Sequence, residues 1–156
     1  MKKTGAPNIP IQAIGLSLYE SLGTDDAEVE AIGTKVTRTQ WLDLSSLEMK
    51  NLIGKNVLIV DEVDDTRTTL EYAVKELEKD VETASNQSGR SAEKTTFSIF
   101  VLHNKDKSKK GHLPADMLNE QRYCAAVTTG DVWINYPWEA TYVHDLTVML
   151  VMVQTY

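Results

Sequence analysis

In the stretch VLIVDEVDDTRTTL, residues 57 to 70, an apolar run meets four acids, Asp61, Glu62, Asp64 and Asp65, and then hydroxyls at Thr66, Thr68 and Thr69. Carboxylates crowded in this way repel one another unless something holds them, so the residue types point to a bound group. Asp61 and Glu62 are acceptors suited to a pair of vicinal ribose hydroxyls. The turn from Asp65 to Thr69, placed ahead of a helix, offers successive backbone N–H groups and threonine donors, which is the chemistry of a phosphate site. The pattern therefore fits a ribose 5-phosphate unit, gripped at one end by acids and at the other by the turn. Two other readings fail on spacing. A nucleoside triphosphatase needs G-x-x-x-x-G-K-[ST], which none of the eight glycines begins, and a calcium loop needs glycine where Thr66 stands.

The elements that must carry these residues follow from the periodicity. Val57 to Val60 reads as a strand buried on both faces, and such strands belong to parallel sheets. Leu70, Ala73, Val74 and Leu77 recur at helical spacing, with Thr66 at the expected cap. Further strands are expected over 9–18, 35–42, 96–103 and 123–129, which together predict an α/β layer fold. Residues 80–94, DVETASNQSGRSAEK, are polar and lack a clear period, so an inserted loop is expected there. Residues 20–34 are acidic and polar, as in a mobile loop between strands. A chain of 156 residues with 42% hydrophobic content is enough for one domain, 1–156,.

Charge and composition narrow the partners. With 16 Lys plus Arg against 23 Asp plus Glu, the net charge of -7 argues against nucleic acid,. The basic run KDKSKK, residues 105 to 110, reads as a solvated loop, with Lys105 set apart. There is no apolar run long enough to cross a bilayer and no secretory pattern behind MKKTGAPNIP, so no membrane partner and a cytoplasmic location are expected. Cys124, the lone cysteine, sits in YCAAV and is expected to be a buried thiol,. His103, His112 and His144 show no ligand spacing and receive no role.

Four apolar residues, two acids, two spacers and Asp-Thr-x-x-Thr resemble the phosphoribosyl pyrophosphate signature of type I phosphoribosyltransferases. DVWINYPWE, 131 to 139, is similar to the purine-binding end of xanthine and hypoxanthine-guanine phosphoribosyltransferases in its W-I-x-x-P-W form. The resemblance, to the fungal purine-salvage branch, spans roughly residues 9 to 140. It implies a Rossmann-like parallel-sheet core and transfer of the 5-phosphoribosyl group from phosphoribosyl pyrophosphate to N9 of a 6-oxopurine, giving the nucleoside monophosphate. By this resemblance Asp61 and Glu62 hold ribose, Asp65 is catalytic beside the purine, and Asp65, Thr66, Arg67, Thr68 and Thr69 take the phosphate. Lys105 donates to the 6-oxo group, Trp133 stacks on the base, and Ile134 offers its carbonyl near ring position 2. Ser17 and Tyr19 open the mobile loop. Magnesium is implied with the diphosphate, Glu62 being the nearest acid, and a homodimer is implied by analogy.

Three departures go with the resemblance. Arg67 stands where most relatives carry glycine, so the turn must avoid a positive φ or tolerate one. A loop for pyrophosphate is not found, and the domain is expected to be shortened at its N-terminus. That leaves open a catalytically impaired nucleotide-binding or regulatory module on the same fold. In the last segment, ATYVHDLTVMLVMVQTY, the apolar run reads as a strand with no assigned partner.

Overall fold

A computed structural model of the protein describes residues 9–19, 35–42, 52–136, 138 and 147–154, the last group by backbone alone. The elements are β1 (Ile11–Tyr19), β2 (Lys35–Gln40), β3 (Asn56–Asp64), α1 (Thr68–Gln87), β4 (Thr96–Lys105), α2 (Ala115–Asn119), β5 (Tyr123–Thr129) and β6 (Thr147–Gln154). Alternation along β3 buries Val57 and Ile59, and along β4 it buries Phe97, Ile99 and Val101,. The face so formed packs with Leu70, Ala73, Val74 and Leu77 of α1 in one core. Because β3 and β4 are parallel, a crossover must join them, and α1 supplies it,.

The six-stranded sheet has the order β2-β1-β6-β3-β4-β5. Parallel pairing is confined to β3, β4 and β5. The other half is antiparallel, with β6 seated between β1 and β3. The apolar run near the end of the chain, which has no partner assignable from its residues, thus pairs on both sides. Its position between two strands pairs the backbone groups along both of its edges.

Three expectations are corrected. The segment beginning at Asp80 is not an inserted loop: α1 continues to Gln87 because Val81 and Ala84 extend the apolar spacing from Leu77. Asp80, which breaks the pattern by type, is buried and accepts a 2.7 Å hydrogen bond from Trp41 Nε1. The helix stops at Gly89, whose φ of 68° allows Arg90 N to reach Ser85 O,. The N-cap is Arg67 with no side-chain cap bond, rather than Thr66. Cys124 is exposed, because β5 lies at the edge of the sheet. Residues 20–34, the expected mobile loop, lie outside the described residues. Among the described residues no helix is long and apolar enough to cross a membrane.

Candidate functional site

The three parallel strands end on one edge, where Asp64 pairs with Asn104 and Lys105 with Thr129. Carboxyl ends of parallel strands are the usual ligand positions in open α/β sheets. The acids of β3, the lysines following β4 and the loop following β5 meet there.

Asp61 is buried at 4% exposure, whereas Glu62 is half-buried. Asp61 Oδ1 accepts a hydrogen bond from the Glu62 amide at 2.9 Å. Burial, followed by the charge of Glu62 beside it, pushes the Asp61 carboxyl well above its ordinary 3.8,. Its sign matters for stability. An acid whose folded value is raised stabilises the fold below pH 3.8, and that contribution is lost as pH climbs through the folded value,. Asp61→Asn, which mimics the protonated acid, is therefore expected to raise Tm at neutral pH and to flatten its decline in melts run from about pH 4 to 8. An unchanged pH profile would contradict the burial argument.

Asp64, to which the sequence assigned no role, is the structural hub. It is 1% exposed, and its Oδ2 accepts from Arg67 Nε at 3.0 Å, Arg67 Nη2 at 2.8 Å and Tyr123 Oη at 2.7 Å. The Arg67 guanidinium also lies 5.0 Å from the Tyr123 ring centroid. Arg67 thus turns back onto the protein, and its φ of 68° shows that the turn tolerates a positive φ without glycine. Lys109 Nζ donates to the carbonyls of Asp64 at 2.7 Å, Asp65 at 2.9 Å and Lys105 at 2.8 Å. Gly111 closes the assembly: a Cβ there would lie 2.5 Å from the Arg67 carbonyl oxygen, so only glycine lets the two backbones approach,. Thr66 Oγ1 and Thr68 Oγ1 are 3.1 Å apart, and Thr68 and Thr69 begin α1.

Asp65 meets the other lysines. Lys105 Nζ donates to its Oδ2 at 3.3 Å, and Lys107 Nζ is 2.8 Å from its Oδ1. Burial raises the Asp65 carboxyl, but the bonds and charges of Lys107 and Lys105 outweigh it and hold the group below its ordinary value. Both lysines also face Asp131, at 3.0 Å from Lys107 and 3.7 Å from Lys105. The KDKSKK run is therefore not simply solvated. Lys105, Lys107 and Lys109 are each half-buried and alternate with exposed residues, the chain turning at Lys107, whose N–H donates to Lys105 O at 3.0 Å. That period of two was the signal available in the sequence.

The loop after β5 is tied down by Tyr136, whose Oη donates to the Glu62 carbonyl at 3.1 Å and lies 2.9 Å from His103 Nδ1. Trp138 stacks on Tyr136 with ring centroids 4.9 Å apart. Trp133 is 84% exposed, its Nε1 donating to Asn135 Oδ1, and Ile134 is half-buried. Ser17 and Tyr19 lie on β1, separated from β3 by β6, so the described residues do not bring them to the acids.

The chain is 56% identical over 151 residues to xanthine phosphoribosyltransferase 1 of Saccharomyces cerevisiae, covering 96% of itself and 72% of that protein. It belongs to the fungal xanthine and hypoxanthine-guanine phosphoribosyltransferases. A hypoxanthine-guanine phosphoribosyltransferase of Schizosaccharomyces pombe is 57% identical over 140 residues, with 90% of this chain and 67% of that one covered. The S. cerevisiae hypoxanthine-guanine phosphoribosyltransferase is 55% identical over 147 residues, 66% of its length. Among solved structures, this phosphoribosyltransferase chain matches a hypothetical protein from Neisseria gonorrhoeae with bound ppGpp. The TM-score is 0.58 at 35% identity, covering 81% of this chain and 58% of that one. No family model matches the chain.

Proposed function

We propose that this phosphoribosyltransferase joins N9 of hypoxanthine, guanine or xanthine to the anomeric carbon of phosphoribosyl pyrophosphate as the bond to pyrophosphate breaks. The observation that carries this reading is the meeting of Asp65 and Lys105 beside the helix start at Thr68, in a chain of a family named for that transfer. On a 6-oxopurine, N7 and the 6-oxo group share one edge. An acceptor and a cationic donor 3.3 Å apart suit that edge, and adenine, with an amino donor in place of the oxo group, does not fit it,.

Asp65, held ionised by its lysines, faces the N7–H of the base and takes that proton, or passes it to solvent, as N9 bonds to the anomeric carbon,. A carboxylate with a lowered pKa is a weak base, so its main contribution is to stabilise positive charge on the ribosyl carbon and the purine in the transition state. Asp61 and Glu62 take the ribose hydroxyls, and Thr66, Thr68 and Thr69 with the turn amides take the 5-phosphate. Trp133 stacks on the base, and the Ile134 carbonyl lies near position 2. Ser17 and Tyr19 open the loop that shields the reacting atoms from water.

Among the described residues no three ligating side chains cluster as a metal site. Glu62 is one hard oxygen donor at the strand end, which suits magnesium that arrives on the diphosphate and keeps most of its substrate ligands. The ion would neutralise the departing pyrophosphate. We place the enzyme in the cytoplasm as a homodimer.

A second reading, nucleotide binding without turnover, draws on the ppGpp held by the solved relative. Incubation with each oxopurine, magnesium and phosphoribosyl pyrophosphate separates the two. Nucleotide formation supports the enzyme, guanylate binding without product supports the module, and no binding by calorimetry defeats both. Trp133→Ala is expected to weaken purine affinity about two- to tenfold, the value of one stacked aromatic contact. Unaltered binding would remove Trp133 from the base site.

A further inference from the structure

The strained point of the phosphate-facing turn is Arg67, one of two non-glycine residues with positive φ among those described. Left-handed backbone brings Cβ against the following carbonyl, and arginine has no local hydrogen bond of the kind that lets Asn or Asp adopt it. Something outside the backbone must hold the conformation. The guanidinium is gripped by Asp64 through both Nε and Nη2, and Asp64 is itself buried and bonded to Tyr123. Lys109 fastens the carbonyls of Asp64 and Asp65 from the other side. The amides of Lys110 and Gly111 both donate to Thr66 O at 3.0 Å.

We infer that Arg67 is a positioning residue, clamped by Asp64 and Tyr123 so that the turn keeps a left-handed conformation that glycine would otherwise supply. This rests on the proposed reading of the turn as the 5-phosphate site. A left-handed residue within a turn aims neighbouring amides into one concavity, the geometry that binds anions. Arg67 then serves the phosphate through the backbone while its charge is spent on Asp64. If Arg67 instead touched phosphate directly, its removal would cost the same whatever stands at position 64. The two readings therefore differ in the sign of a double-mutant effect.

The test compares Arg67→Gly and Arg67→Ala in the wild-type and Asp64→Asn backgrounds, reading Tm, kcat and the KM for phosphoribosyl pyrophosphate. In the wild-type background Arg67→Ala, which keeps the strain and loses the clamp, is expected to raise KM about tenfold with little change in kcat. Arg67→Gly is expected to cost less than Ala, because glycine removes the strain. In the Asp64→Asn background the effect of Arg67→Gly inverts: glycine now raises Tm by about 2–4 °C and lowers KM, since the clamp there has lost its charge and the strain outweighs what is left of it. An equal rise in KM in both backgrounds overturns the inference and assigns Arg67 to the phosphate itself. Should Asp64→Asn not fold, Tyr123→Phe loosens the clamp more gently, and the penalty of Arg67→Gly must shrink there or the inference fails. Inversion of Tm without turnover in any variant upholds the clamp while rejecting the proposed function. Normal turnover without inversion does the reverse.

Discussion

Asp65→Asn is expected to lower kcat about 10²- to 10³-fold with the fold intact, as read by turnover of each oxopurine beside a thermal melt. The substitution keeps shape and removes the charge that opposes the developing positive charge of the transition state. Stability should change little, because Asp65 is half-exposed and its bonds to Lys105 and Lys107 are made near the surface,. Loss should fall on kcat more than on the KM for phosphoribosyl pyrophosphate, since the interaction strengthens only as the ribosyl bond breaks. A variant with near-normal kcat would remove Asp65 from the reaction and leave Glu62 as the acid to examine.

Asp64→Ala acts on the fold instead, and its expected cost is about 3 kcal/mol of stability, seen as a Tm lower by roughly 6–12 °C. Asp64 is the carboxylate for Arg67 and lies 3.5 Å from Lys109, with both cations largely covered. Removing it leaves the covered Arg67 guanidinium and the Tyr123 hydroxyl without this acceptor, and leaves Lys109 its carbonyl partners but not this counter-charge. Breaking one side of such a group costs more than replacing the whole group with apolar residues. Asp64→Ala combined with Arg67→Gly should therefore lose less than the sum of the two single changes. Additive losses would mean that the two residues act independently.

Both predictions turn on neighbouring acids of one motif, which the resemblance tells apart but residue type alone does not. DEVDD presents its carboxylates as equivalents. Packing separates them: Asp61 and Asp64 are buried, while Glu62 and Asp65 remain half-covered at the site. Lys109 and Tyr136 were missed for a related reason. Each acts on main-chain carbonyls of the acidic strand and turn, and such bonds require only proximity, which no side-chain pattern encodes.

The end of α1 was obscured because its exposed face is polar and only Val81 and Ala84 mark the buried one. Cys124 was misplaced because an apolar stretch does not reveal whether its strand is central or at an edge.

By itself, the sequence determined the α/β class, the strand-turn-helix about the acids and the family, because apolar periodicity and a motif of fixed spacing are local properties of the chain. Tertiary structure decided the antiparallel seat of β6, the clamp that sustains a left-handed Arg67, and the lysines that hold Asp65 ionised. Those depend on residues far apart in the chain, Ile11 with Met152 where β1 meets β6 and Asp64 with Tyr123 in the clamp, and separation along the chain carries no information about contact until the sheet has formed.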